Sequence, residues 1–245
     1  MRQSALLASR NSAMAAPPDA SEAAARMRVY IPSELATHNT RGDCWVAFLG
    51  KVVDVSPVIN SLPAEQAALG DPLLDNAGKD ISHWFDAGTG DVRTRIDART
   101  SQPVPFIPMG RFPGLPSEDG STDDAAAWWR DEALVRGRLT SKVRKAWVVN
   151  TLTEQRHLLS FGTEETMEEI RERFLEMNAH CKSYTWRVLV SGEDGAAAFK
   201  PLDMSLTLDS NGVPDNEDEV EELGLPAEEY YPVMHLAFND DLTEG

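Results

Sequence analysis

The sequence has few basic residues, and this shortage excludes several classes of function. Its 245 residues include 23 Lys and Arg against 40 Asp and Glu, which gives a net charge of −17. A general nucleic-acid binder neutralises phosphates with a basic face, so we expect no DNA or RNA partner. Long apolar runs are also missing. None approaches the ~18 to 20 residues that cross a bilayer, and we therefore expect no membrane partner.

Cysteine is scarce as well, and the common catalytic motifs are missing. The two cysteines, Cys44 and Cys181, lie far apart in different sequence contexts. This spacing is typical neither of a metal-ligand cluster nor of a disulfide framework, and it fits a reducing compartment. The histidines are scattered, and no Ser-His-Asp, HExxH, phosphate-loop or dinucleotide pattern occurs. The sequence therefore predicts a protein that is not an enzyme and holds no metal.

The first 27 residues form a low-complexity tail that is rich in Ala and Ser. One interpretation is a disordered or partner-bound tail. The other is an organelle transit peptide, because the segment carries Arg2, Arg10 and Arg26 with few acidic residues. The break at Pro17 and Pro18 favours the first interpretation.

Four short motifs follow one another between residues 28 and 140. They are the segments Leu35 to Thr40, Cys44 to Val55 with a turn at Gly50, Ala77 to Asp80, and Val135 to Leu139. In this order and spacing they resemble the cytochrome b5 family of haem-binding domains. The resemblance implies a cytochrome b5-like domain over 28–140, and the stretch 89–129, which has no counterpart in it, is interpreted as an insertion.

The same resemblance implies two axial histidines, and neither is present. Leu62 stands where the first ligand is expected and Gly90 where the second is expected. Neither side chain has a lone pair for iron. His83 is the remaining histidine near the implied pocket. Either it binds haem as an unusual single ligand, or it lies at the edge of an aromatic core beside Trp84. We predict no cofactor and keep haem on His83 as the alternative.

The 89–129 segment combines prolines with large apolar residues. Prolines block long helices and central strands, yet a solvated linker does not need the apolar residues. Either the segment packs back onto its own domain, or it presents a surface to a partner. The adjacent tryptophans at its end are either core residues or interface anchors. The candidate partner-binding residues are Phe106, Ile107, Phe112, Trp128 and Trp129.

The stretch 141–245 predicts a second domain of strands and one helix. A hairpin is predicted over 144–161. Thr166 and Glu169 then form a capping box that begins a helix. The helix carries an apolar stripe of Met167, Ile170, Phe174 and Met177. A strand, a short segment and a final strand complete an element order that resembles a ubiquitin-like β-grasp domain. The predicted fold class is therefore α+β, with a cytochrome b5-like domain followed by a ubiquitin-like one.

The chain as a whole resembles a family of proteins of the motile-cilium axoneme. The resemblance includes the segments 80–85, 149–153, 183–186 and 238–244. It implies a non-enzymatic structural or regulatory subunit of the axonemal cytoskeleton in the cilium or flagellum, associated with radial spokes and docking on axonemal proteins. The competing hypothesis is a haem-binding redox or electron-transfer protein that uses His83.

Overall fold

The computed structural model describes residues 27–115, 127–191 and 197–238. It contains two five-stranded sheets and one two-stranded hairpin. The strands are β1 (Val29–Tyr30), β2 (Asn39–Thr40), β3 (Asp43–Phe48), β4 (Lys51–Asp54), β5 (Thr94–Ile96), β6 (Pro103–Pro105), β7 (Val135–Leu139), β8 (Val143–Asn150), β9 (Arg156–Gly162), β10 (Tyr184–Ser191), β11 (Ala197–Pro201) and β12 (Val233–Phe238). The α-helices are α1 (Pro32–Leu35), α2 (Ser56–Asn60), α3 (Asp71–Leu74), α4 (Met167–Phe174) and α5 (Glu217–Glu222). The predicted mixture of helix and sheet is confirmed.

The first sheet has the strand order β1-β7-β4-β3-β2. Strand β1 runs parallel to β7, and the other neighbours are antiparallel. The predicted turn at Gly50 joins β3 to β4. Leu49 and Gly50 have φ values of 48° and 80°, as a two-residue hairpin loop of type I′ requires. The sheet buries Cys44, Val46 and Phe48 from β3, which places the core on the side of α2 and α3.

Two glycines of the motifs are fixed by close packing. At Gly78, φ is +74° and an added Cβ would lie 2.9 Å from the Cα of Ala36. Its N–H donates to the carbonyl of Trp45 at 2.7 Å, which ties this turn to β3. At Gly137, an added Cβ would lie 2.3 Å from the carbonyl oxygen of Arg28 in the chain leading into β1. A larger residue would displace backbone at either position.

The second sheet has the strand order β11-β10-β12-β8-β9. The central pair, β12 and β8, is parallel, and the outer pairs are antiparallel. Burial alternates strictly along β8, so one face of the sheet points to the core. Helix α4 lies on that face. Its Met167, Ile170 and Phe174 belong to the same core cluster as buried residues of β8, β9, β10 and β12.

Helix α4 begins as the sequence predicts. The Thr166 hydroxyl accepts the Glu169 N–H at 3.3 Å, and the Glu169 carboxylate accepts the Thr166 N–H at 2.8 Å. The predicted capping box is confirmed. The predicted stripe is wrong at its last position, because the helix ends at Phe174 and Met177 is exposed. No helix in the described ranges is both long and apolar enough to cross a bilayer.

The two domains contact each other through an arginine at the end of α4. Arg173 pairs with Glu165, in the turn between β9 and α4, at 2.8 Å and with Glu34 of α1 at 3.2 Å. Its Nη1 also donates to the carbonyl of Ser160 at 2.8 Å. Burial raises the pKa of Glu165, against the opposing effects of the Gly162 N–H and of Arg173. Breaking this contact would therefore leave a buried carboxyl without its cation.

Candidate functional site

The two expected ligand positions lie in turns of the first domain. Leu62 is half-buried between α2 and the 3₁₀ helix Ala64–Gly70. Gly90 lies in the turn after the 3₁₀ helix Ser82–Trp84, with φ +73°. Its N–H donates to the carbonyl of Asp86 at 2.8 Å. Neither turn offers a side-chain donor for iron at these positions.

His83 lies on the outside of its short helix. Its ring is exposed and meets the ring of Trp84 edge-on at 6.0 Å between centroids. Trp84 itself is buried, so the helix directs the tryptophan into the core and the histidine away from it. Within the described ranges, no three His, Cys, Asp or Glu side chains are grouped so that they could hold a metal ion.

An aromatic cluster fills the space between the first sheet and the Ser82–Trp84 helix. Its rings are Phe48, Trp84, Phe85, Phe112, Trp128 and Trp129. Phe112 stacks on Trp84 at 5.4 Å, and Trp128 meets Phe48 edge-on at 5.7 Å. Offset and edge-to-face pairs of this kind each contribute about 0.5–1.5 kcal/mol beyond the buried area. The cluster is thus a substantial part of this domain's core.

Half of this aromatic cluster comes from the 89–129 segment, which corrects part of the partner-binding prediction. Phe112 is 1% exposed and Trp128 is 2% exposed. Trp129 is half-buried and packs against the same core. For these three residues, burial favours the first alternative, in which the segment packs back onto its own domain. Removing the aromatic rings from water stabilises this arrangement. Phe112 and Trp128 are core residues, and Trp129 packs partly buried against the same core.

An acidic side chain links the start of the segment to its end. Asp91 accepts the Trp129 Nε1–H at 3.1 Å and the Arg130 Nε–H at 2.9 Å. These hydrogen bonds, from Arg130 first and Trp129 second, lower the pKa of Asp91 against a small opposing effect of burial. The Asp91 carboxylate therefore ties the tryptophan pair to the chain around residue 91.

The remaining two partner-binding candidates lie in a different environment. Strands β5 and β6 form a hairpin, and we call residues 94–109 the arm. Phe106 is half-buried, and its N–H donates to the carbonyl of Arg93 at 2.6 Å. Ile107 is exposed, and on the same arm Ile96 is 67% and Met109 is 52% exposed. Of these three exposed residues, only Ile107 is among the partner-binding candidates predicted from the sequence.

These residues do not fit a haem held in the manner of cytochrome b5. Both ligand positions lack a donor atom, and the only histidine nearby in the described chain, His83, points away from the core. The aromatic cluster, moreover, occupies the core beside the Ser82–Trp84 helix with protein side chains. Bis-histidine ligation would need two oriented donors with supporting hydrogen bonds.

Comparison with known proteins identifies the family. The chain is 41% identical to "Cytochrome b5 domain-containing protein 1" of Xenopus laevis over 223 residues, which covers 89% of this chain and 98% of that protein. This chain belongs to the cytochrome b5 domain-containing protein 1 family. The Homo sapiens protein of the same name is 39% identical over 221 residues, covering 89% of this chain and 92% of that protein. The resemblance predicted from the motifs is confirmed.

The match to the cytochrome b5 family model covers part of the first domain. Residues 32–99 match the model described as "Cytochrome b5-like Heme/Steroid binding domain". Cytochrome b5 of Oryza sativa subsp. japonica is 37% identical over 96 residues, covering 33% of this chain and 67% of that protein. Phe112, Trp128 and Trp129 lie beyond the matched range. The aromatic cluster therefore joins three rings of the matched domain to three from the chain that follows it.

Proposed function

We propose that this family member is a non-enzymatic structural or regulatory subunit of the motile-cilium axoneme, associated with radial spokes and acting by protein–protein docking. The axonemal location is supported by the whole-chain resemblance described in the sequence analysis. The docking role is supported by the arm, which is the observation that carries the proposal. Its exposed apolar side chains are Ile96, Ile107 and Met109. They belong to a segment in which Phe112, Leu115 and Trp128 are buried.

The arm is a conformationally ordered hairpin, as a docking element requires. Asp97 accepts the N–H groups of Arg99 and Thr100 at 2.7 and 2.9 Å and so fixes the turn between β5 and β6. These bonds, Thr100 first and Arg99 second, lower the pKa of Asp97. A preformed hairpin loses little conformational entropy when a partner binds it. Exposed Ile96 and Met109 then supply apolar contact area at little ordering cost.

The second domain supports a docking role through its architecture. We propose that it is a ubiquitin-like β-grasp domain. The support is a sheet with a parallel central pair, antiparallel outer pairs and one helix across a single face. Such a fold serves as a binding module at least as readily as an enzyme scaffold, so the proposal needs no catalytic site.

The proposal does not depend on haem. Leu62 and Gly90 supply no ligand, and the aromatic cluster gives the first domain a core of its own. This supports a module retained for its shape and surface. In a redox role, by contrast, His83 would have to ligate from an exposed position on the outside of a short helix.

The experiment replaces exposed residues of the arm in the full chain and measures incorporation into axonemes that lack the endogenous protein. We expect Ile96→Glu and Ile107→Glu to reduce incorporation about tenfold or more, since a charge at an apolar contact removes at least ~1.4 kcal/mol of binding. The matched control is Leu223→Glu, an exposed leucine on the other domain. Unchanged incorporation of both arm variants would refute docking through the arm.

A further inference from the structure

The second sheet has one face opposite to α4, and we call it the outer face. The 3₁₀ helix Ala227–Glu229 touches this face at Trp147, whose Nε1–H donates to the Glu228 carbonyl at 3.3 Å.

Residues that pair across neighbouring strands lie on the same face of a sheet. The register therefore places one residue from each of the five strands in a row that runs across the outer face. Leu189 pairs with Phe199, Val233 with Trp147, and Trp147 with Leu158. The neighbouring pair Val188 and Met234 sets Leu189 beside Val233. The row therefore crosses the whole sheet and is apolar in every strand.

The row is exposed to solvent. Leu158, Leu189 and Phe199 are 38%, 50% and 53% exposed. Trp147 and Val233 between them are half-buried. At ~4.8 Å between strands, a row of five strands extends about 19 Å. Single exposed apolar residues are common on protein surfaces, but a contiguous row of this length is typical of an interaction site.

The charges around the row identify the kind of partner. The outer-face positions of the five strands contain three Lys or Arg residues and no Asp or Glu, although the chain as a whole has a charge of −17. The three are Lys145, Arg156 and Arg187. Arg187 and Arg156 lie in the adjacent row of the outer face, since Arg187 pairs with His235, and Val149 with both His235 and Arg156. The outer face is therefore a basic surface on an acidic protein.

The two arginines of the outer face are not neutralised internally. Arg156 lies over the ring of Trp147, 4.9 Å from its centroid. Arg187 Nε has no hydrogen-bond partner in the structure as described. Neither arginine forms an ion pair with a carboxylate of the described residues. Lys145, on the other side of the apolar row, donates to the Tyr231 hydroxyl at 3.3 Å. Among the described residues, Arg156 and Arg187 are thus cations without carboxylate partners beside exposed apolar side chains, and such cations complement an anionic partner.

We infer that the outer face of the second sheet binds an acidic protein segment that carries apolar side chains. The apolar side chains of the partner contact the row that includes Leu189 and Phe199, and its carboxylates pair with Arg187 and Arg156. The inference concerns a different surface from the arm and does not depend on where in the cell the protein acts. A failed test of one surface therefore leaves the other standing.

The test uses the full-length protein and three labelled peptides of about 20 residues, long enough to cross ~19 Å as a helix or a strand. The first alternates Glu-rich and Leu-rich positions, the second has Lys in place of each Glu, and the third has Ser in place of each Leu. Binding is measured by fluorescence anisotropy at low and high salt. We expect the first peptide to bind at least about tenfold more tightly than the other two, with an affinity that falls as salt rises.

Variants of the protein locate the binding surface. Leu189→Thr keeps a residue suited to a strand, and Arg187→Glu reverses one charge. We expect each to weaken the Glu/Leu peptide about tenfold while thermal melting stays unchanged. Their controls are Leu223→Thr and Arg41→Glu, exposed residues away from the sheet. Equal affinity for the Lys peptide, or unchanged binding in both outer-face variants, would overturn the inference.

Two other occupants of the outer face are separate outcomes. A dimer in sedimentation velocity that Leu189→Thr dissociates would assign the face to a second copy of the chain and overturn the inference. Tighter peptide binding after removal of residues 239–245 would assign the face to the chain's own end and would also overturn it. A monomer with unchanged affinity after this truncation supports an acidic segment from a partner.

Discussion

Replacing Phe112 by Ala tests whether the aromatic cluster is the core of the first domain. The side chain is 1% exposed and lies 5.4, 6.0 and 6.3 Å from the rings of Trp84, Trp129 and Trp128. Truncating a buried phenylalanine typically costs 3–5 kcal/mol, through lost burial and the cavity that remains. We expect about 3–5 kcal/mol here, a large part of the ~5–15 kcal/mol that stabilises a domain.

Urea unfolding followed by tryptophan fluorescence measures the loss, because three of the cluster's six rings are Trp84, Trp128 and Trp129. Phe199→Ala is the matched control, since the same side chain is 53% exposed there. We expect the control to change the free energy of unfolding by less than about 1 kcal/mol. If Phe112→Ala costs no more than Phe199→Ala, the aromatic cluster does not stabilise the domain and the reasoning is refuted.

Three further predictions follow from the same contacts. Although burial opposes ionisation, hydrogen bonds from Ser141 and Thr140 lower the pKa of Glu164 from 4.5 to about 2. The ionised carboxylate therefore stabilises the fold fully above pH 4.5, and this stabilisation is lost as the pH falls toward 2. After a discount for solvent screening, we expect Glu164→Gln to lower the free energy of unfolding by about 1–2 kcal/mol at pH 7 and by little at pH 2. Equal losses at both pH values would contradict this. Gly78→Ala should destabilise the first domain by at least ~1 kcal/mol in urea titrations, because φ is +74° and the Cβ meets the Ala36 Cα at 2.9 Å; a neutral effect would show that the turn can move. Purified protein scanned in the visible region with haemin should give no bis-histidine haem spectrum, and a Soret band that vanishes in His83→Ala would favour the haem alternative.

Local rules predicted the second domain well because its signals are local. The capping box at Thr166 and the strands on either side of residue 153 depend on neighbours in the chain, and both are found where expected. The prediction for Met177 was wrong because the apolar spacing continues for about one turn beyond Phe174, where the helix ends. Periodicity indicates which face a helical residue would occupy, but not where the helix stops.

The first domain shows what the sequence alone could not decide. Phe106 and Phe112 are both phenylalanines among prolines, yet Phe112 enters the core and Phe106 stays half-buried on the arm. The environment of Phe112 depends on its contact with Trp84, which lies far away in sequence. The outer face was also missed, because its apolar row is visible only once the strand register is known. Alternation along single strands does not show which face α4 covers.

We propose that the protein acts in the axoneme by docking through exposed surfaces of its two domains. A photo-activatable crosslinker placed at position 107 of the arm, with one at position 223 as control, tests this proposal most directly in isolated axonemes. We expect position 107 to crosslink to radial-spoke or neighbouring axonemal proteins and position 223 not to do so. Absence of the protein from axonemes, or equal crosslinking from both positions, would contradict it.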